Sequence, residues 1–241
     1  MKREDHLVKG VMFDFSGTLL RIEPIEQWLR GALDDSGRLV RDDAEVTACA
    51  DRLRLMGAQP GGPVPHVVPQ HLADLWRDRD LTGVHHRACY TALAREAQLP
   101  DPALAEALYE RTFHPMAWQP YPDTVHVLRE LRQRGVPTAV VSNIGWDLRP
   151  VFKFHGLAQY IDFFVLSYEI GVMKPDPRIF HVACDELGLA PDSVLMVGDD
   201  RDADTGAATL GCPVHLVEPL PVSARPDSLT RVLDLLGDGY R

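Results

Sequence analysis

The sequence has few lysines, no closely spaced cysteines and no long apolar run. Only four of its 25 basic residues are lysines. The four cysteines are far apart and form no Cys-x-x-Cys pair, so neither a zinc knuckle nor a disulfide framework is predicted, and reduced thiols in a cytoplasm are expected. No apolar run approaches the ~20 residues of a membrane span. Residues Met1–Gly10 are not followed by the apolar segment of a secretory signal, so none is expected.

Acidic residues also outnumber basic residues. The chain has 241 residues, with 35 acidic against 25 basic side chains and a formal net charge of −10. Such a chain repels the phosphate backbone, so no nucleic-acid partner is expected. A hydrophobic fraction of 45% is ample for a core, which argues against wholesale disorder.

Short apolar runs rich in β-branched or aromatic residues predict five strands. The runs are Val8–Phe13, Pro137–Val141, Phe163–Leu166, Val194–Val197 and Val214–Val217. Helical spacing follows at 125–134 and 177–187, and a last helix is predicted over 228–236. Strands that alternate with helices predict an α/β fold, a parallel sheet covered on both faces.

Residues 21–117 differ from the rest of the chain. Helical stretches at 25–33, 44–55, 85–97 and 103–112 dominate this segment, and the proline- and glycine-rich stretch Gln59–Pro69 predicts a loop. Nearly 100 residues are too many for a plain crossover. The sequence therefore predicts a core formed by residues 1–20 and 118–241, with an inserted α-helical domain at 21–117.

Polar side chains stand where the first two strands end. Asp14, at the end of the first run, is followed by Gly17, which permits a tight turn whose amides point inward. Ser142 and Asn143 end the second run and have groups that can donate to a phosphoryl oxygen. Each feature alone is equally an ordinary turn or helix cap.

The next two strands end in charge. Lys174 precedes a helix that starts near Pro177, where it can hold an anion; the alternative is a solvated lysine. Four aspartates then lie within residues 199–204, where Mg²⁺ is the simplest neutraliser. A solvated loop explains Asp202 better, but not Asp199 at a strand end. A nucleophilic carboxylate, a cation and a metal site at one sheet edge suit phosphoryl transfer to an aspartate.

These motifs resemble those of the haloacid dehalogenase (HAD) superfamily, which consists largely of Mg²⁺-dependent phosphatases and phosphotransferases. Four motifs occur in the family's order: Asp14-x-Ser16-Gly17-Thr18, Ser142-Asn143, Lys174-Pro175, and Gly198-Asp199 with Asp204. The resemblance covers nearly the whole chain and implies a Rossmann-like core, with the helical insertion as its cap.

The resemblance also implies roles for individual residues. Asp14 would be the nucleophile, and Mg²⁺ would be bound by the Asp14 and Asp199 carboxylates and the backbone carbonyl of Ser16. Lys174 and Ser142 would hold the phosphate. The remaining implied residues are Gly17, Thr18 and Asn143 around the phosphate, Asp204 in an outer layer that orients Lys174 or metal-bound water, and Asp200 as a further ligand in that outer layer. Arg21 follows directly on the nucleophile loop, a position that suits contact with an anionic substrate and a hinge-surface arginine equally.

Ser16 departs from the family pattern. Family phosphatases usually have a second aspartate at this position, which protonates the leaving group and later activates water. A serine hydroxyl does not exchange a proton in this way near pH 7. The substitution leaves the backbone carbonyl intact, so hydrolysis is in doubt while metal and phosphate binding are not.

Four hypotheses remain at this point. The first is a slow or specialised phosphatase acting on a small phosphorylated metabolite, with another group, such as Asp200, His85 or His86, as the acid. The second is a dehalogenase, which also lacks that aspartate; Asp199 argues against it, because those relatives use no metal. The third is a phosphonate hydrolase, whose Schiff base needs a cap lysine, and residues 21–117 contain none. The fourth is a non-catalytic binding or regulatory protein.

Substrate choice is expected to depend on the cap. The candidates are Arg21, Trp28, His85, His86, Arg87 and Trp146. Helical spacing makes Trp28 better suited to the core. Hinges are predicted near Leu20 and near 118–122. The sequence identifies neither the substrate nor the oligomeric state.

Overall fold

Seven strands form two separate sheets in the computed structural model, which describes residues 8–36 and 42–236. The strands are β1 (Gly10–Phe13), β2 (Leu20–Ile22), β3 (Trp118–Pro120), β4 (Thr138–Ser142), β5 (Phe163–Leu166), β6 (Val194–Gly198) and β7 (Val214–Leu216). The larger sheet has the order β5-β4-β1-β6-β7, and all of its pairings are parallel. The predicted α/β fold is confirmed.

Strand β1 lies at the centre of this sheet. Met12 pairs with Ala139 of β4 on one side and with Met196 of β6 on the other. All four residues of β1 are buried, as in a sheet with helices on both faces. The strand order reverses around β1, and open α/β sheets bind ligands at such a point, beyond the carboxyl ends of the strands. The residues that follow β1, β4, β5 and β6 therefore meet at one edge.

Helices cover the sheet and fill the insertion. They are α1 (Ile25–Asp35), α2 (Asp43–Met56), α3 (Ala73–Asp78), α4 (Gly83–Glu96), α5 (Leu104–Arg111), α6 (Thr124–Gln133), α7 (Arg149–Phe154), α8 (Ser167–Ile170), α9 (Pro177–Leu187), α10 (Arg201–Asp204) and α11 (Arg231–Asp234). Asp42 caps α2 and Thr82 caps α4 by accepting backbone hydrogen bonds. No helix in the described part of the chain is both long and apolar enough to cross a membrane.

The helical insertion joins the rest of the chain through a short antiparallel ribbon. Strand β2 precedes helices α1–α5, strand β3 follows them, and the two strands pair Leu20 with Pro120 and Ile22 with Trp118. Three-residue strands are too short to show a period in the sequence, so the sequence predicts no ribbon here. The division into a core and a cap at 21–117 stays a prediction.

The last predicted helix is wrong in extent. The pattern predicts a helix over 228–236, whereas α11 spans only Arg231–Asp234. The backbone amides of Ser228 and Leu229 instead donate to Asp123 Oδ2, at 2.7 and 2.6 Å. Leu236 forms a bridge with Val8. These tertiary contacts at both ends replace helical hydrogen bonds.

Candidate active site

Lys174 forms salt bridges with two carboxylates at the edge of the sheet. Its Nζ lies 2.6 Å from Asp14 Oδ1 and 2.6 Å from Asp204 Oδ1. The Lys174 side chain is 2% exposed and that of Asp204 is fully buried. Burial alone would lower the pKa of Lys174, but the charges of Asp14 and Asp204 outweigh it and raise this pKa. A permanent positive charge therefore stands beside Asp14.

Asp14 has more negative neighbours than this one cation neutralises. Burial raises the pKa of Asp14, Lys174 opposes that effect, and the charges of Asp204 and Asp199 raise the pKa further. Burial and the charge of Asp204 likewise raise the pKa of Asp199, whose own charge acts on Asp14. Two carboxyl groups so close need a proton or a cation between them.

The loop after β1 packs against Asp199. Thr18 Oγ1 donates to Asp199 Oδ1 at 3.1 Å. Gly17 has φ +91°, and a Cβ atom there would lie 2.2 Å from Asp199 Oδ2. Only glycine accommodates both this backbone conformation and this close approach.

Arg225 holds the same loop by two of its backbone carbonyls. Its guanidinium donates to the carbonyls of Gly17 and Thr18 and lies 3.1 Å from the ring centroid of Tyr121. Arg225 follows the loop by more than 200 residues and belongs to no motif, so only the folded structure reveals this contact.

The Asn143 side chain uses both of its polar atoms in hydrogen bonds to the backbone of Lys174. Its Nδ2 donates to the carbonyl of Lys174 at 2.9 Å, and its Oδ1 accepts from the Lys174 amide at 2.7 Å. Both polar ends of Asn143 are therefore engaged, which suits a positioning role. Ser142, at the end of β4, is buried and lines the cavity beside Asp14.

The four aspartates of the loop after β6 make different contacts. Asp200 caps α10 by accepting from the amides of Asp202 and Ala203, at 2.8 and 3.0 Å. Asp204 Oδ2 accepts from the amide of Asp200 at 3.0 Å, so Asp204 fixes this turn as well as Lys174. Asp202 is exposed. Asp199 is thus the member of this group that meets Asp14.

The donor set suits Mg²⁺ but is small. Within residues 8–36 and 42–236, no three side chains of His, Cys, Asp or Glu are arranged as a metal site. Asp14 and Asp199 supply two carboxylates, and the Ser16 carbonyl would be a third oxygen ligand. Mg²⁺ typically takes one or two carboxylates and completes its shell with water and substrate phosphate, so the residues present fit this ion.

Ser16 connects the loop after β1 to the helical insertion. Its Oγ donates to the carbonyl of Gly61 at 2.9 Å, across 45 residues of sequence. Gly61 lies in the predicted loop Gln59–Pro69 and has φ +74°. The hydroxyl at the position of the family's acid is thus used in a contact between the two parts of the chain.

A cavity of about 190 Å³ lies between the sheet edge and the insertion. From the predicted set, its walls include Asp14, Ser16, Arg21, Ser142, Asn143, Lys174, Asp199 and Asp200. Of the cap candidates, His86 lines the cavity, whereas His85 and Arg87 are exposed and Trp28 is buried in the core as expected. Trp146 is buried among Phe15, Phe113 and Trp118.

Three residues of the insertion add charge and polarity to the cavity. Asp80 is buried, with Oδ2 3.3 Å from Arg79 Nε and Oδ1 3.7 Å from His86 Nε2. Burial, and then the charge of Arg79, lower the pKa of His86 to about 3, so His86 is neutral at pH 7. Arg79 and Asp80 have no functional signature in the sequence, because alternating charges over 77–80 are typical of a solvated surface.

Hydrogen bonds also connect the insertion to the ends of the strands. Ser167, directly after β5, donates to the carbonyl of Asp80 at 2.6 Å. Ser167 Oγ accepts from the amide of Ile144 at 2.9 Å, just beyond β4. Arg79, Asp80 and the residues after β4 are therefore fixed relative to one another across the cavity.

Comparisons with known proteins agree with this geometry. A family model described as a haloacid dehalogenase-like hydrolase matches residues 8–210. A phosphoserine phosphatase of Thermus thermophilus is 31% identical, covering 84% of this chain and 85% of its own. The (S)-2-haloacid dehalogenase 4A of Burkholderia cepacia is 33% identical, covering 85% and 80%. The crystal structure of a HAD phosphatase from Thermococcus onnurineus is 25% identical, covers 88% and 86%, and has a TM-score of 0.55.

Two relatives with nearly equal sequence identity to this chain are thus named for two different reactions. Identity alone does not choose between phosphate esters and haloacids as substrates, and the choice depends on the residues around Asp14. What the relatives share is the family model, which spans most of the chain. The chain belongs to the haloacid dehalogenase-like hydrolases.

Proposed function

We propose that this hydrolase is a Mg²⁺-dependent phosphatase or phosphotransferase that acts on a small phosphorylated metabolite through an aspartyl-phosphate on Asp14. The observation that carries the proposal is the Asp14–Asp199 carboxyl pair, whose charge Lys174 does not neutralise. In a metal-independent dehalogenase, Asp199 would only repel the nucleophile. Beside a divalent cation, the same carboxylate is a ligand.

Each residue then has a task in phosphoryl transfer. The Asp14 oxygen that does not bind Lys174 attacks phosphorus, and the bond to the leaving oxygen breaks. Lys174 and Ser142 stabilise the charge of the transferred group, as positively charged and donor groups do in phosphoryl transfer. When bound, Mg²⁺ would supply further charge neutralisation between Asp14 and Asp199. Asp204 and Asn143 keep Lys174 in place.

Ser16 leaves the leaving group without the family's usual acid. General acid–base help is typically a factor of 10²–10⁴, so slow release of alkoxide leaving groups is expected. Esters whose leaving group is already a weak base are expected to react faster. This dependence on the leaving group distinguishes an impaired phosphatase from one with a replacement acid.

The test is phosphate release from a panel of small phosphorylated metabolites, with Mg²⁺ and with EDTA. O-phosphoserine belongs in the panel because the Thermus relative is a phosphoserine phosphatase. Mg²⁺-dependent release that disappears in the Asp199→Ser variant supports the proposal. Release that is unaffected by EDTA contradicts the metal, and silence across the panel favours a binding or regulatory protein.

A second candidate is dehalogenation of a 2-haloacid. Ser16 favours it, because dehalogenation by a carboxylate nucleophile needs no acid for a halide leaving group, and one relative is named for this reaction. Chloride release from (S)-2-chloropropionate in EDTA is its test. A positive result would replace the phosphatase proposal, and no release would remove this candidate.

A further inference from the structure

Arg79 presents a second cationic group to the cavity, opposite the sheet edge. It follows α3 directly, and its side chain is 23% exposed. The cavity that it lines also contains Asp14 and Lys174. Lys174 is saturated by two carboxylates, whereas Arg79 is paired with one carboxylate, that of Asp80, within the part of the chain that the structure describes.

The guanidinium of Arg79 is held in place without using all of its donors. It stacks on the Trp76 ring, 3.8 Å from the centroid, and Nη1 donates to the Trp76 carbonyl at 2.7 Å. Its Nε is buried and has no hydrogen-bond partner among the described residues, although Asp80 Oδ2 is 3.3 Å away. A planar guanidinium with spare donors and a fixed orientation is suited to a carboxylate.

The other polar groups nearby do not compete for that role. His86 is neutral at pH 7, so it adds no charge. Tyr90, which also lines the cavity and interacts with Arg79, is kept as a neutral hydroxyl because burial raises its pKa. Burial also raises the pKa of Asp80 against the effect of Arg79, which weakens Asp80 as a counter-ion. Within the described residues, Asp80 is therefore the one carboxylate at salt-bridge distance from Arg79, and neither His86 nor Tyr90 adds a charge beside it.

We propose that Arg79 binds a carboxylate of the substrate, so that the preferred substrates are small phosphomonoesters that also have a carboxylate group. The phosphate would lie against Asp14 and Lys174, and the carboxylate against Arg79 across the cavity. This inference rests on the proposed phosphatase function for its phosphate end. It assigns a substrate class to a residue outside the four sequence motifs.

Two compounds with the same carbon skeleton test the proposal. 2-Phosphoglycolate has a carboxylate where ethyl phosphate has a methyl group. The wild-type protein is expected to bind 2-phosphoglycolate about ten- to a hundredfold more tightly, as one charge-assisted hydrogen-bonded pair allows. Binding is measured by titration calorimetry in Mg²⁺, and turnover by phosphate release. O-phosphoethanolamine, with an amine at that end, is expected to bind no better than ethyl phosphate.

Variants of Arg79 separate recognition from folding. Arg79→Gln is expected to bring the ratio between the two compounds close to one through loss of 2-phosphoglycolate binding alone, and Arg79→Lys to keep part of it. Arg77→Gln is the matched control, because Arg77 is exposed and pairs with Asp74 and Asp78 outside the cavity. Arg79→Gln with Asp80→Asn avoids leaving a buried carboxylate unpaired and keeps the test available if the single variant does not fold.

The outcomes separate this inference from the proposed function. Equal binding of the two compounds by the wild type, a ratio that survives in Arg79→Gln, or a preference for the amine would overturn the role of Arg79. A carboxylate preference without phosphate release would support Arg79 and contradict the phosphatase. Binding of neither compound would overturn both.

Discussion

Ser16 donates its side-chain hydrogen bond to the carbonyl of Gly61, 2.9 Å away. At the position that bears a proton donor in family phosphatases, this chain thus has a contact between the loop after β1 and the insertion. An aspartate here would restore an acid, but its carboxylate would face the Gly61 carbonyl unless it kept a proton or the loop shifted. An aspartate at position 16 would therefore gain an acid but lose the hydrogen bond to Gly61.

The first prediction concerns Ser16→Asp. We expect it to raise phosphate release from alkyl phosphates at least tenfold, and from p-nitrophenyl phosphate much less, because a nitrophenolate leaves without an acid. Steady-state kinetics on both esters is the measurement. Ser16→Asn is the control, since it has nearly the same shape and no acidic proton. Equal gains in both variants would mean that the lost Gly61 contact, not the acid, limits turnover.

The second prediction concerns Lys174→Met. Removing the buried ammonium leaves Asp14 and Asp204 uncompensated, which typically costs about 3–5 kcal/mol in the free energy of unfolding. Phosphate release should fall below detection as well. Urea unfolding at pH 7 measures the stability. Lys153→Met is the control, because Lys153 is exposed and its loss should stay within about 0.5 kcal/mol. A loss as small for Lys174 would contradict a charged lysine between two carboxylates.

The third prediction concerns Asp14→Asn. The variant should fold, because it removes one of three clustered carboxylates, yet release no phosphate, because an amide does not form the phosphoryl intermediate. Circular dichroism and phosphate release are measured together. Asp202→Asn, an exposed aspartate of the acidic loop, should keep wild-type activity. Turnover that persists in Asp14→Asn would remove the covalent mechanism.

The fourth prediction concerns Gly17→Ala. Its Cβ would lie 2.2 Å from Asp199 Oδ2, so the Asp199 carboxylate must leave its present position in the site. We expect at least a tenfold increase in the Mg²⁺ concentration that half-activates phosphate release. Gly135→Ala is a matched control, because Gly135 also has positive φ, at +69°, but the described residues place no atom within 4 Å of the added Cβ. It should be destabilised by about 1 kcal/mol without a change in Mg²⁺ dependence.

The sequence located the sheet edge better than the opposite wall of the cavity. Asp14 and Asp199 could be placed because apolar runs predict the strands that they end, and parallel strands share an edge. Arg79 and Asp80 could not, because an Arg-Asp-Arg-Asp run has the local pattern of a solvated surface. Their burial depends on how the insertion lies against Ser167, 87 residues further along the chain. Contacts of that range have no local period.

The insertion supplies the last prediction, which concerns pH. His86 is buried, its Nδ1 lies 2.8 Å from the Tyr109 hydroxyl, and Arg79, Asp80 and Tyr90 also face it. Burial and then Arg79 lower its pKa from 6.5 to about 3. Because the folded pKa is below the unfolded one, the stabilisation from neutral His86 is complete above pH ~6.5 and is lost as the pH falls from there toward 3.

Between pH 7 and pH 5, this loss amounts to about 2 kcal/mol in the free energy of unfolding. His86→Gln keeps a polar partner for Tyr109 but does not titrate, so we expect its stability to fall by about 2 kcal/mol less than that of the wild type over this interval. Urea unfolding at both pH values measures the difference. The subtraction removes the opposing contribution of Asp80, whose raised pKa favours the folded state at low pH. His85→Gln is the control, because His85 is exposed, and parallel pH profiles for all three proteins would contradict a buried neutral His86.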